Sequence, residues 1–236
     1  MSGTIERPPM GNIAEMSHIK PPSFDQQIFE DFIEFAKYRV FTKDSIESER
    51  RVETVNLDQL FGTTQSLYAG DSLGYVFRNR LKRRQDNLDE AWDNPDYFYE
   101  TEAKSDMSII AVGDRLFIEL GKHRALCLKY LAHYHNDLFP DGAIVAGVEL
   151  KQLVEVADFT EAMEEFSDVL EANRSIVIDF PRTFSGLNNG MPILRNFERD
   201  KHHQFSSVEE FMNCMKALSK TNWFKKELGL GWHRLF

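Results

Sequence analysis

The sequence is poor in cysteine, has no long apolar run and has no excess of positive charge, and each shortage excludes a class of protein. Cys127 and Cys214 are its only cysteines, too few for the disulfide framework that holds small secreted scaffolds together. No stretch approaches the roughly 20 apolar residues that span a bilayer, so no membrane partner is expected. Residues 1–16, MSGTIERPPMGNIAEM, show no basic stretch running into an apolar one, so a secretory signal is not expected and cytoplasmic residence is. Lys and Arg number 28 against 38 Asp and Glu, a formal net charge of -10. That balance argues against coating nucleic acid by broad electrostatics, and any phosphate has to be met locally.

What is present suits a folded chain. Its 236 residues, 42% hydrophobic and 12% aromatic, are enough for one globular domain or a domain with an appendage. Pro8, Pro9, Pro21 and Pro22 give the first twenty or so residues the character of an extended arm. Ser23 with Gln26 reads as a capping box, and Ile28, Phe29, Phe32, Ile33 and Phe35 recur at helical spacing to about Tyr38. KDSIESERR, 43–51, reads as a linker or surface helix. RVETVNLDQL, from Arg51, predicts a strand followed by a loop. Ser72 can cap a helix bearing Leu73, Val76, Phe77 and Leu81, with Arg78, Arg80, Lys82, Arg83 and Arg84 on its outer face. That dense basic run is open to three readings: a solvated helix face, a nucleic-acid patch or a partner surface.

The YFYE stretch, 97–100, reads as a strand. MSIIAV and RLFIEL then flank Gly113-Asp114, a two-residue hairpin signal. Gly121 closes the second of these strands, and the apolar run from Ala125 to Leu131 predicts an immediate helix. AIVAGVELKQLVEV predicts one or two further strands, and Asp158 with Glu161 forms a capping box before another helix. SIVIDF reads as a strand, TFSGLNNGMP as a loop, and Ser206 with Glu209 as the cap of a last helix. Strands and helices mix without a strict βαβ rhythm, which makes the fold class α+β. The expected division is an arm and amphipathic helix over 1–50, a core domain over 51–157 and a C-terminal α/β extension packed on it over 158–236.

The stretch richest in chemistry is IIAVGDRLFIELGKHRALCLKYL, 109–131. A strand delivers the chain to Gly121, and a helix begins with Lys122, His123 and Arg124, so backbone donors and cationic side chains converge on one point. Three basic residues in a first helical turn oppose the helix dipole, and a bound phosphate would compensate them. The alternative is that Lys122 and Arg124 are solvated and His123 caps or packs. Turnover of such a ligand needs a carboxylate nearby; Asp58, Asp114 and Glu119 are available by sequence neighbourhood, and Glu119 and Asp58 are the two selected. His133 and His135, two apart, point to different helix faces and do not make a helical metal site. Asp200, His202 and His203 read as a polar loop, and no metal site is assigned.

Two strands, a Gly-x-His-Arg turn and an Ala-containing apolar helix resemble the core of the ParB/sulfiredoxin-like superfamily. VETVNLDQLFGTTQ resembles that family's first strand and following box, with Leu60 to Gln65 standing where a Leu-x-Pro-x-Gln element is common, and GVELKQLVEV resembles the strand that closes its sheet. The resemblance covers about residues 52–157. It implies a small mixed sheet with flanking helices, a nucleoside triphosphate with Mg2+ as ligand, and phosphate contacts from Gly121, His123 and Arg124, joined by Lys122, Thr64 and Gln65. It further implies hydrolysis, phosphotransfer or nuclease activity, with Glu119 and Asp58 as the carboxylates, or else a non-catalytic DNA- or protein-binding module. DNA contact would fall to Arg80, Lys82, Arg83 and Arg84, and an oligomer is compatible with the family. Lys122 stands where sulfiredoxins carry a reactive cysteine, which removes sulfinic acid reduction, and DFTEAMEEFSDVLEAN shows no helix-turn-helix of the partition proteins.

Overall fold

The computed structural model describes residues 12–171, 176–179, 193–196 and 201–228. They divide into two compact units, one of residues 12–34 with 49–152, the other of 35–48 with the described residues from 153 onward. The expected division is 1–50, 51–157 and 158–236; the units instead group 12–34 with 49–152 and 35–48 with the later residues. Pro8 and Pro9, the TFSGLNNGMP loop, Asp200 and residues 229–236 lie outside the described residues.

In chain order the elements are α1 (Ile13–Ile19), a 3-10 turn (Ser23–Gln26), β1 (Glu30–Asp31), α2 (Phe32–Ala36), α3 (Lys43–Glu47), β2 (Arg51–Asn56) and β3 (Leu60–Thr63). Next come α4 (Leu73–Tyr75), running into a π-helical turn (Val76–Arg80), then α5 (Arg84–Asp93), β4 (Lys104–Val112), β5 (Arg115–Leu120), α6 (Lys122–Tyr134) and β6 (Ile144–Leu153). They are followed by α7 (Ala157–Glu171), β7 (Ile176–Asp179), β8 (Ile193–Asn196), β9 (Lys201–Gln204) and α8 (Val208–Leu228).

The first unit is built on a six-stranded mixed sheet in the order β1-β3-β5-β4-β6-β2. β1, β3 and β5 run parallel, while β4 pairs β5 and β2 pairs β6 antiparallel. The predicted hairpin forms: Val112 faces Arg115, and Gly113 takes the positive φ of 59° that a two-residue turn asks of it. α6 packs on one face, with every residue from Ala125 to Ala132 buried among Leu57, Leu60, Ile109, Leu116, Ile118 and Val145. Cys127 lies in this core, and burial pushes its thiol up to about 12, which makes it inert.

Several expected elements take other forms, and the loop expected after RVETVNLDQL opens as strand β3. The aromatic helix expected from Ser23 to about Tyr38 is replaced by the 3-10 turn, β1 and the short α2. The backbone of 28–31 is drawn into tertiary pairing instead: Glu30 and Asp31 register with Gly62 and Thr63, and Phe29 exchanges hydrogen bonds with Asp71 and Gly70. Helical periodicity loses to an open sheet edge. The YFYE strand is a 3-10 turn, Pro95–Phe98, with Pro95 in its first position, where a missing N–H costs nothing.

What ties residues 12–34 to the core is a charge inside it. Asp25, 1% exposed, receives both Arg78 nitrogens at 2.7 and 3.0 Å and the Tyr130 hydroxyl at 2.8 Å. Gly74 is required beside it, since a Cβ there would stand 2.3 Å from the carboxylate oxygens. Tyr130 stacks flat on Phe77 at 3.9 Å, and Arg78 also donates to the Ser17 carbonyl. Burial pushes the Asp25 carboxyl up, but the hydrogen bonds from Arg78 and Tyr130 outweigh it and hold the group ionised, below its ordinary value.

The second unit pairs α7 with α8 beside the antiparallel sheet β7-β8-β9. Phe159, Met163 and Phe166 of α7 pack with Phe205, Phe211 and Met215 and with Val40. Arg39 holds Glu155 and Glu164 at 2.8 and 2.9 Å. The polar loop expected at 200–203 is strand β9 from Lys201 onward. His203 donates toward Glu210, whose carboxylate also receives the Ser206 amide and hydroxyl and is drawn down to about 2.

Removing the Asp25 carboxylate leaves the Arg78 guanidinium without its partner in a site where its side chain is 14% exposed. Asp25→Ala is expected to lower unfolding free energy by about 3–5 kcal/mol in urea denaturation. Because the folded pKa is depressed, the stabilisation is complete above the unfolded value and is lost as pH falls through the folded one. The stability gap between the native chain and Asp25→Asn should therefore narrow in acid, below about pH 4.

Candidate anion site at the start of helix α6

β3 and β5 are neighbouring parallel strands, with Thr63 beside Ile118, so the segments leaving their C-terminal ends emerge side by side. In sheets with parallel strands that is where ligands settle. From β5 the chain enters α6 through Gly121, whose φ of +82° is left-handed. A Cβ there would stand 2.8 Å from the Asp106 carbonyl oxygen, so the position admits glycine for two separate reasons. The first intrahelical bond runs from the Ala125 amide to Gly121. Among the described residues no side chain caps this end, and the amides of Lys122, His123 and Arg124 are the orphan donors of the first turn.

From β3 the chain turns tightly. The Thr63 hydroxyl donates to the Ile118 carbonyl, the Thr64 amide donates to the same carbonyl, and the Gln65 amide returns to the Thr63 hydroxyl. The Gln65 side chain then reaches across, donating through Nε2 to the Glu119 carbonyl at 2.8 Å while its oxygen accepts from Lys122 Nζ. The Lys122 ammonium lies over the Tyr68 ring, 4.1 Å from its centre, and His123 meets the same ring edge-on. Burial lowers the pKa of Lys122. The His123 pKa is lowered first by burial and then by the positive charges of Lys122 and Arg83, which favours the neutral imidazole. Thr64, Gln65, Gly121, Lys122 and His123 are therefore brought together. Tyr68 and Arg83 join them as neighbours that the sequence reading did not place here.

Arg124 is committed elsewhere. Its guanidinium pairs with Asp106 and, at 3.5 Å, with Glu90, and it lies 5.7 Å from the Tyr97 ring centre. Tyr97 in turn donates to Asp106 at 2.8 Å. These carboxylates offset one of the three basic side chains that oppose the helix dipole in this turn.

The two carboxylates expected to serve catalysis are both apart from the turn. Along β5, Leu116 and Ile118 enter the core that includes α6, whereas Phe117 packs on Phe32 and Phe61. Strand alternation puts Glu119 on the Phe117 face, away from α6. There its Oε2 lies 2.6 Å from Arg50 Nη2, a charge contact without hydrogen-bond alignment, and Lys151 feels both groups. Asp58 pairs at 3.1 Å with Lys129, which stands seven residues, or about 10 Å, along α6 from Lys122.

The basic run is likewise divided. Arg78 is taken by Asp25, Arg80 pairs with Asp71 at 3.0 Å, and Arg84 donates to the carbonyls of Phe77 and Arg78 as the π turn ends. Lys82 and Arg83 are exposed without an ion pair among the described residues, and Arg80 is exposed within its pair. The outward basic face read from the sequence is thus three residues wide, Arg80, Lys82 and Arg83, with Arg80 already in a surface pair with Asp71. No signal in the local pattern separates the arginines that turn inward, since their acceptors are a distant aspartate and the carbonyls of an irregular turn.

Among the described residues no group of three His, Cys, Asp or Glu side chains converges as a metal site, and no helix is long and apolar enough to cross a membrane. Comparison of the chain with known protein families, with curated proteins and with solved structures finds no match.

Gly121→Ala adds a side chain both at a left-handed φ and against the Asp106 carbonyl. It is expected to cost about 1–3 kcal/mol, read as a lower melting temperature, with the loss remaining in Gly121→Asn smaller than in Gly121→Val.

Proposed function

We propose that the chain is a nucleotide-binding protein of ParB/sulfiredoxin-like character that holds the phosphates of a nucleoside triphosphate at the start of α6. The observation that carries this reading is the uncapped first turn of α6, entered through a left-handed Gly121 at the joint C-terminal edge of parallel β3 and β5, with Lys122 and His123 beside it. Backbone amides point outward there, and the dipole favours an anion. Thr64 and Gln65 supply the opposite wall.

The chain's own residues would act by charge and orientation. A phosphate draws the Lys122 ammonium away from the Gln65 oxygen, and the freed Gln65 amide oxygen and Thr64 hydroxyl are left to orient the ligand. His123, neutral when the site is empty of anion, gains a proton as the phosphate arrives. Binding therefore tightens as the pH falls. Magnesium in such complexes is carried largely by the phosphates and water, and no step here is assigned to it. Arg124 serves the fold through Asp106 and Glu90 rather than the ligand.

Because Glu119 faces the other side of the sheet and Asp58 stands about two turns along α6, binding without turnover is favoured over hydrolysis or phosphotransfer. A nuclease or DNA-binding role would rest on Arg80, Lys82 and Arg83, the first already paired with Asp71, a narrow surface in a chain of net charge -10.

Calorimetry with ATP, CTP, GTP and UTP in the presence of Mg2+ tests the reading. One or more nucleotides should bind, about tenfold more weakly to Lys122→Met or His123→Ala, more tightly at lower pH in the native chain, and without phosphate release. Absence of binding by all four, or binding indifferent to both substitutions, contradicts it. Phosphate release abolished by Glu119→Gln or Asp58→Asn would replace binding with catalysis.

A further inference from the structure

A second polar centre lies farther along α6, and it is independent of the anion site. A cleft of about 400 Å3 is lined by Ser23, Phe24, Asp58, Lys129, Ala132 and His133, with Gly142 and Ala143 completing its rim. That volume is within the range of small-molecule sites, about 300–1,000 Å3. Lys129 is unusual among them: only 2% exposed, it sits in an otherwise apolar stretch of helix. Its Nζ donates to the Leu57 carbonyl at 2.8 Å and to Asp58 at 3.1 Å, and it lies 4.5 Å from the centre of the Phe24 ring. Two of these partners, Asp58 and Phe24, are walls of the cleft, so the amine lies in the wall as well.

We propose that Lys129 is a nucleophilic amine that condenses with a small aldehyde or ketone held in this cleft. The geometry supplies each component. Asp58, with its side chain 66% exposed, is close enough to take a proton from the ammonium and open enough to exchange it with water. The neutral nitrogen attacks the carbonyl carbon, the carbon–oxygen π pair moves to oxygen, and one proton of the now cationic nitrogen passes to that oxygen to give a neutral carbinolamine. Loss of the hydroxyl as water, with a proton returned through Asp58 and the remaining N–H proton released, leaves a carbon–nitrogen double bond to Lys129. One water leaves for each imine formed, and no electron acceptor or donor is needed. Ser23 and His133 line the same cleft and offer hydrogen bonds to substrate oxygens, while the Phe24 ring covers an apolar face. Burial lowers the Lys129 pKa, opposed by Asp58, and so raises the neutral fraction above that of a surface lysine, which is about 0.1% near neutral pH.

Reductive trapping tests this on the full chain. Glyoxylate with cyanoborohydride reduces any imine to a stable secondary amine, and peptide mapping by mass spectrometry ranks the lysines by their extent of modification. Lys129 should be modified at short times roughly tenfold faster than the surface lysines despite its burial, and the label should disappear from that site in Lys129→Arg. Asp58→Asn should slow labelling of Lys129 severalfold while leaving the surface lysines unchanged. Surface lysines labelled with Lys129 spared overturns the proposal, as does labelling of Lys129 at the same rate as theirs. Unchanged labelling in a folded Asp58→Asn variant overturns the proton transfer assigned to that carboxylate.

Discussion

The buried carboxylate of Asp25 is the constraint around which the first unit is arranged. An ionised group 1% exposed has to be met by charge and hydrogen bonds, and the partners come from two other parts of the chain, Arg78 and Tyr130, 53 and 105 residues away. Meeting that demand fixes three elements at once. It seats the 3-10 turn, turns the π-helical segment so that an arginine points inward, and sets the rotation of α6 through a tyrosine stacked on Phe77. Gly74 is the steric counterpart, the residue that lets the helix backbone approach the carboxylate.

With α6 held in this way, its two polar centres follow from its length and its surroundings. Its first turn is presented at the shared edge of two parallel strands, where a Cβ on Gly121 would stand 2.8 Å from the Asp106 carbonyl oxygen. Farther on, Lys129 is buried against the Leu57 carbonyl and Asp58. Between them lie Ala125, Leu126, Leu128 and other core residues, so an apolar helix carries two separate cationic groups to two different surroundings. Neither lysine is solvated in the manner of a surface helix, and both have pKa values lowered by burial.

Local signals were legible where the physics is local. The Gly113-Asp114 hairpin, the helix start at Gly121, the Ser72 cap and the core position of Cys127 all follow from the residues within a few positions of each. The mixed α+β class followed from the same patterns. What could not be read was any choice made over distance. Helical spacing over 28–35 gave no hint that the backbone there would complete a sheet edge beside Gly62. Glu119 adjoins the Gly-Lys-His-Arg turn in sequence, yet strand alternation sends its side chain to the opposite face. Tyr68, beside Lys122 and His123, comes from a loop whose path is set by hydrogen bonds from Thr64 and Gln65 rather than by periodicity. A single lysine inside an otherwise apolar helical run, as at Lys129, is itself a local signal of a buried, partnered ammonium.

The central claim is that the first turn of α6 is a preformed anion site whose scaffold stays fixed when it is filled. Backbone amide NMR shifts, followed while ATP and Mg2+ are titrated into the full chain, test it most directly. The account predicts saturable shifts concentrated at Lys122, His123 and Arg124 and at Thr64 and Gln65, with Asp25, Arg78 and Tyr130 unmoved. Saturable shifts confined to other residues, or none at these amides with any of the four nucleoside triphosphates, would contradict it.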